Sequence, residues 1–86
     1  MYLVVVYDVK SENSNKILKI LRKFLFHVQN SVFEGELTDL EFKKLKQEVK
    51  NNINEKVDSV IYYNIISQKV IKKEGINTKK FSNLLI

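Results

Sequence analysis

The chain has 86 residues, of which 44% are hydrophobic and 29% are charged, and its formal charge at pH 7 is +5. Folding buries only about 60 to 65% of the surface of so short a chain, so one domain is expected and a second subunit would add stability. The lack of cysteine excludes disulfides and thiolate metal sites. A pI of about 9.5 suggests a polyanionic partner, although a general lysine bias explains it equally well.

The segment from Tyr2 to Val9 is predicted to be a strand, because it is rich in β-branched residues and both of its faces are apolar up to Asp8. The run has neither the basic flank nor the cleavage site of a signal peptide. It is also far shorter than the roughly 20 residues that span a bilayer. We therefore expect a cytoplasmic protein.

A polar loop, SENSNK, leads into the first predicted helix, which Asn13 or Ser14 can cap. Apolar residues recur along one side of this helix: Ile17, Leu18, Ile20, Leu21, Phe24, Leu25 and Val28. Four cations share the opposite side: Lys16, Lys19, Arg22 and Lys23. Because one helix face points them in one direction, they favour nucleic-acid binding more than net charge does, although most basic helix faces are only solvated.

The next segment, VQNSVFEGEL, is extended by composition, and Asn30-Ser31 or Gly35 can turn it, so one strand and two short strands both fit. Thr38 to Glu41 forms a capping box for a second helix. The apolar residues of that helix are Phe42, Leu45, Val49 and Ile53.

A second central strand is predicted from Asp58 to Ile66, again apolar on both faces. A shorter strand follows around Lys69 to Lys73, and the chain ends in an apolar tip from Leu84 to Ile86. No repeat or linker divides residues 1–86, so we predict a single domain.

The order of these elements indicates an α+β fold, a ferredoxin-like sandwich in which two helices cover one face of an antiparallel sheet. The other face would stay open, although both central strands carry apolar side chains on it. Soluble monomers rarely expose such a patch. A homodimer packed sheet to sheet is the simplest remedy.

Asp8 is the carboxylate placed where sites are commonly built, at the C-terminal end of a central strand beside a loop. An Asx turn also explains it, and one carboxylate is a poor magnesium site. If a twofold axis passes near this strand end, however, two copies of Asp8 converge, and two unit charges about 4 Å apart repel by about 4 kcal/mol at an effective dielectric of 20. A divalent ion would relieve this repulsion and could activate water against a phosphodiester, which makes Asp8 the predicted metal ligand and catalytic residue.

Structural explanations carry more weight for the other candidates. His27 has no second imidazole to join, so a structural or exposed role is predicted. Glu34 and Glu36 could reach a metal, yet a solvated strand face explains them equally well. Core or interface positions are predicted for the tyrosines Tyr2, Tyr7, Tyr62 and Tyr63.

Several segments together resemble one family. YLVVVYDV with the loop and helix after it, VQNSVFEGELT before the second helix, and DSVIYYNI are similar to the CRISPR-associated protein 2 family over nearly the whole chain. The resemblance implies a ferredoxin-like homodimer that binds DNA during CRISPR spacer acquisition. It also implies that this homodimer bridges dimers of the CRISPR-associated integrase, the first CRISPR-associated protein.

The resemblance further implies a magnesium-dependent endonuclease, acting on single-stranded RNA or double-stranded DNA, with Asp8 as the metal ligand. Three residues match motif positions near that site: Tyr7, Ser31 and Phe33. The family often has arginines after the aspartate, whereas this chain has Lys10 and Lys16, which lack the bidentate fork of arginine. Whether the chain is an enzyme or only a structural adaptor therefore stays open.

The resemblance also implies that the last strand, residues 82–86, pairs with the sheet of the partner subunit. One alternative is a toxin ribonuclease of the virulence-associated protein D kind, which has the same fold and a first strand ending in aspartate, but the Q-x-S-V-F-E-G segment speaks against it. Another is a small-ligand regulatory domain. Such domains generally have a glycine-bearing loop after the first strand. The two glycines of this chain are Gly35 and Gly75, neither of which lies in that loop, so this alternative is disfavoured.

Overall fold

A computed structural model describes residues 1–65 and residue 74. Six elements follow in chain order: β1 (Tyr2–Asp8), α1 (Ser14–Phe24), β2 (Phe26–Gln29), β3 (Val32–Glu36), α2 (Asp39–Lys50) and β4 (Ser59–Ile65). The four strands form one antiparallel sheet in the order β2-β3-β1-β4. This is the predicted α+β fold. The strands predicted around Lys69 to Lys73 and at residues 82–86 lie outside the described residues.

Helix α1 is shorter than its apolar spacing predicts. Ile17, Ile20 and Leu21 are buried as expected, but the helix ends at Phe24 and Leu25 is already extended, with φ of −134°. Leu25 and Val28 therefore do not belong to the helix, and Val28 lies in β2. Asn13 takes the N-cap position, but its side chain makes no capping hydrogen bond.

Helix α2 begins with the predicted capping box. The backbone N–H of Thr38 donates to Glu41 Oε1 at 2.9 Å, and the backbone N–H of Glu41 donates to Thr38 Oγ1 at 3.1 Å. Hydrogen bonds from the Thr38 backbone and side chain to the Glu41 carboxylate lower the pKa of Glu41. The helix buries Leu45 and Val49, whereas Ile53 lies beyond its end.

The extended segment between the helices forms two strands. Asn30, whose φ of 42° lies in the left-handed region, and Ser31 make the turn between β2 and β3. The pairing of β2 with β3 shifts register between His27 and Gln29. Gly35 in β3 lies against Leu25: a Cβ atom at this position would lie 3.1 Å from Leu25 Cδ2, so a larger residue would displace the Leu25 side chain slightly.

The core lies on one face of the sheet. Leu3 and Val5 of β1 and Phe33 of β3 pack in a single cluster with α1 and α2 residues, and all three are fully buried. Both helices therefore cover this side, which we call the helix face.

The register of the strands places the alternate residues on the opposite side, which we call the open face. Its apolar and aromatic members are Tyr2, Val4, Val6, Phe26, Val32, Ile61, Tyr63 and Ile65. Ile61 and Tyr63 are 49% and 51% exposed. Glu34 lies on the same face but is buried, so the solvated position considered for it is wrong.

Candidate functional site

Asp8 ends β1 on the open face, opposite Ser59 of β4. Its side chain is 65% exposed and forms an ion pair with Lys10, whose Nζ lies 3.9 Å from Oδ2. Pairs between exposed groups contribute little to stability, so this carboxylate is held loosely. No hydrogen-bond donor within residues 1–65 engages it.

The oxygen donors at this position suit a hard cation such as Mg²⁺. The described residues contain no group of three His, Asp or Glu side chains that could hold a metal ion. One copy of the described chain therefore supplies a single free carboxylate here. A magnesium site at Asp8 needs further oxygen atoms from a second copy, from nucleic acid or from water.

Asp58 fixes the loop beside Asp8. Its buried carboxylate accepts hydrogen bonds from the N–H groups of Lys10, Ser11 and Asn54 at 2.9, 3.0 and 2.8 Å, and from the Ser11 hydroxyl at 2.7 Å. Burial alone would raise the pKa of Asp58, but these hydrogen bonds lower it to about 2. Asp58 thus stays ionised and ties the loop after β1 to the turn before β4.

Sequence reasoning assigned no role to Asp58. The only local signal is an aspartate at the start of an apolar strand, four residues after Asn54. This pattern is also typical of an ordinary Asx turn.

Tyr7, Ser31 and Phe33 lie together, but Tyr7 and Phe33 are on the other side of the sheet from Asp8. The Tyr7 and Phe33 ring centroids are 6.0 Å apart on the helix face. The Tyr7 backbone N–H donates to the carbonyl oxygen of Ser31 at 3.0 Å. Burial raises the pKa of Tyr7, and the positive charge of Arg22 opposes the increase.

His27 covers Phe33 at the edge of the sheet. The two rings are stacked, with centroids 4.5 Å apart and planes 9° apart. His27 Nε2 lies 2.6 Å from the carbonyl oxygen of Asn30. This histidine is exposed and lies on the helix face, away from Asp8.

The predicted cations of α1 are all exposed: Lys16, Lys19, Arg22 and Lys23. Lys23 forms an ion pair with Glu48 of α2. Within residues 1–65, no ion pair involves the other three. Because α1 covers the helix face, this stripe and Asp8 are on opposite sides of the sheet. Neither described helix is long and apolar enough to cross a membrane.

The family described as "CRISPR associated protein Cas2" matches residues 1–73. A "CRISPR-associated endoribonuclease Cas2" from Thermotoga maritima is 51% identical over 80 residues, which cover 93% of this chain and 92% of the relative. A protein of the same name from Pyrococcus furiosus is 46% identical over 85 residues, 99% of this chain and all of the relative.

Solved structures of Cas2 proteins are also similar to this chain. The "crystal structure of cas2" is 36% identical with a TM-score of 0.70, covering 88% of this chain and 97% of that one. Streptococcus pyogenes Cas2 at pH 6.5 is 32% identical with a TM-score of 0.66, covering 87% and 100%. A hypothetical protein from Thermus thermophilus, at 22% identity and a TM-score of 0.77, covers 87% and 90% and shares the fold.

Proposed function

This chain belongs to the CRISPR-associated protein Cas2 family, and from that premise we propose that it is a homodimeric, magnesium-dependent endonuclease that also binds DNA during CRISPR spacer acquisition. Its relatives carry the name endoribonuclease. The observation that carries the proposal is the position of Asp8. An exposed carboxylate with no engaged donor stands at the end of an open, apolar sheet face.

The open face supports self-association. Half-exposed side chains such as Ile61 and Tyr63 lie beside Val4 and Val6 on a sheet that both helices leave uncovered on this side. Packing two such faces about a twofold axis removes this apolar surface from water. If the twofold axis passes near the end of β1, the same packing brings the two Asp8 carboxylates close together.

Two adjacent carboxylates favour a divalent cation because it offsets their repulsion. When bound, Mg²⁺ polarises the phosphodiester and lowers the pKa of an attacking water. The ammonium group of Lys10, 3.9 Å from Asp8, would contact a phosphate oxygen of the substrate. Asp58 holds the backbone N–H of Lys10 and thereby positions it.

Nucleic-acid binding rests on the cations of α1. Packing the open faces leaves both copies of α1 on the outside of the dimer, where Lys16, Lys19 and Arg22 can contact phosphates. A twofold dimer also presents two equivalent outer surfaces. This symmetry suits a protein that bridges two dimers of the CRISPR-associated integrase.

The enzymatic part of the proposal is tested with Asp8→Asn. Labelled single-stranded RNA and duplex DNA are incubated with and without Mg²⁺, and Glu12→Gln, which neutralises an exposed acid of the adjacent loop, is the matched control. We expect Asp8→Asn to abolish magnesium-dependent cleavage without lowering the melting temperature, because the side chain is 65% exposed in one copy and the amide carries no charge to repel its partner in the dimer. Cleavage equal to that of the wild type would exclude Asp8 as the metal ligand.

The adaptor part is tested separately in cells that carry the integrase and a repeat array. Normal spacer acquisition by Asp8→Asn would show that bridging does not require cleavage. Loss of acquisition by a variant that lacks Lys16, Lys19 and Arg22 supports the DNA-binding role. Unchanged acquisition by that variant would contradict it.

A further inference from the structure

His27 presents a flat aromatic surface at the edge of the described sheet. Its ring is stacked on Phe33, with centroids 4.5 Å apart and an angle of 9° between planes. Phe33 is completely buried whereas His27 is exposed. Phe33 therefore covers one side of the imidazole, which leaves the other side as the one on which a ligand could stack.

The orientation of this ring is fixed by the turn between β2 and β3. His27 Nε2 lies 2.6 Å from the carbonyl oxygen of Asn30, and because a carbonyl can only accept, Nε2 carries a proton and donates it. The Tyr7 hydroxyl donates to the same oxygen at 3.5 Å. The ring is thus held by stacking and by a hydrogen bond, so little further ordering is needed before a ligand binds.

Arg22 lies near enough to this surface for its charge to reach the Tyr7 hydroxyl. It is in the last turn of α1, just before β2, and that hydroxyl shares the Asn30 oxygen with His27. Lys19 lies one turn earlier on the same side of α1. An aromatic ring flanked by phosphate-binding cations is the arrangement with which many proteins bind unpaired nucleic acid, because bases stack on the ring while cations contact the backbone.

We propose that His27 is a stacking platform for one base of a single-stranded nucleic acid, with Arg22 and Lys19 contacting the neighbouring phosphates. The inference rests on the proposed function in requiring nucleic-acid binding, and it adds a base-stacking residue on the side of the sheet opposite Asp8. Bases in a duplex are already stacked on each other and cannot reach this ring. Since His27 lies on the helix face, pairing of the open faces leaves it accessible.

The test measures binding of a fluorescent, unstructured single-stranded RNA by anisotropy in buffer without divalent metal. His27→Leu keeps Phe33 covered but removes the aromatic ring, whereas His27→Phe keeps an aromatic ring. We expect His27→Leu to weaken binding by roughly 5-fold to 150-fold and His27→Phe to bind within about threefold of the wild type. Duplex DNA of equal length should bind both variants like the wild type.

A ligand without bases gives a check that does not depend on how the variants fold. An abasic strand of the same length and charge should bind the wild type roughly 5-fold to 150-fold more weakly than the normal strand does. Salt dependence separates stacking from charge, because removing a phosphate contact lowers the slope of log affinity against log salt and removing a stacked base does not. A lower slope for His27→Leu would overturn the inference.

Other outcomes separate the inference from the proposed function. Equal affinity of the wild type and His27→Leu for single-stranded RNA would overturn the inference but not the proposed function. The same holds if His27→Leu loses as much affinity for duplex DNA as for single-stranded RNA. If the wild type binds neither nucleic acid, the proposed function fails and the inference fails with it.

Discussion

The carboxylate of Asp58 accepts two hydrogen bonds from Ser11, one from its backbone N–H at 3.0 Å and one from its hydroxyl at 2.7 Å. These bonds join the loop that follows β1 to the turn that precedes β4. Asp8 lies opposite Ser59 at the same end of these strands, so its backbone is anchored, while its exposed side chain makes only the ion pair with Lys10. Asp58 is therefore a positioning residue for the candidate site.

Asp58→Asn should lower the melting temperature by several degrees. The amide nitrogen that replaces one carboxylate oxygen cannot accept, so the donors on that side lose their partner in a buried position. Thermal unfolding followed by circular dichroism measures the change. Glu55→Gln is the matched control, because it neutralises an exposed acid in the same turn and should leave the melting temperature unchanged. Equal melting temperatures for Asp58→Asn and the wild type would mean that the loop is held by other contacts.

The acid stability of the protein should depend on the same carboxylate. The pKa of Asp58 falls from an ordinary value of 3.8 to about 2 on folding. Because the folded-state pKa is depressed, the ionised group stabilises the native state fully above the unfolded pKa, and this contribution is lost as the pH falls towards about 2. The difference in melting temperature between the wild type and Asp58→Asn should therefore be constant above about pH 5 and shrink between about pH 4 and pH 2. A difference in melting temperature that stays constant down to pH 2 would show that it does not come from the ionised Asp58 carboxylate.

Local patterns in the sequence predict elements that depend on few residues. The capping box at Thr38 and the apolar strand ending in Asp8 belong to this class, because adjacent residues determine both. The end of α1 could not be predicted in this way, because Leu25 and Val28 continue the helical spacing of apolar residues. Val28 is in a strand because β2 pairs with β3. Glu34 alternates like a solvated residue, yet it lies in a central strand that buries it.

Contacts between distant segments account for the parts of the site that the sequence did not predict. The Asp58 carboxylate bonds to a residue 47 positions earlier in the chain. The stack of His27 on Phe33 depends on the turn at Asn30 and on the register between β2 and β3. Neither relationship has a local signal that distinguishes it from an ordinary turn or strand, so both require the fold to be known first.

Ile61→Lys should convert the proposed dimer into a monomer. The side chain of Ile61 is 49% exposed on the open face, so the monomer tolerates a lysine, but two packed faces would bury an unpaired charge. We expect the dimer dissociation constant to rise roughly 30-fold or more, measured by analytical ultracentrifugation. The control is Leu40→Lys, which adds the same charge at an apolar residue that is 61% exposed on α2. Dissociation by both variants alike would point to net charge instead of the open face.

The cations of α1 should contribute unequally to binding of duplex DNA. Lys23 is paired with Glu48, whereas Lys19 has no ion-pair partner among the described residues, so Lys19 offers phosphate a charge that is not already offset. Lys19→Gln should therefore weaken binding more than Lys23→Gln, and it should lower the slope of log affinity against log salt by about 0.9 for each phosphate contact removed. Glu48→Gln should strengthen binding, because it releases Lys23 for the phosphates. A Lys23→Gln variant that loses as much affinity and slope as Lys19→Gln would show that Lys23 leaves Glu48 at little cost, as exposed pairs can, and that the ion pair does not restrict the stripe.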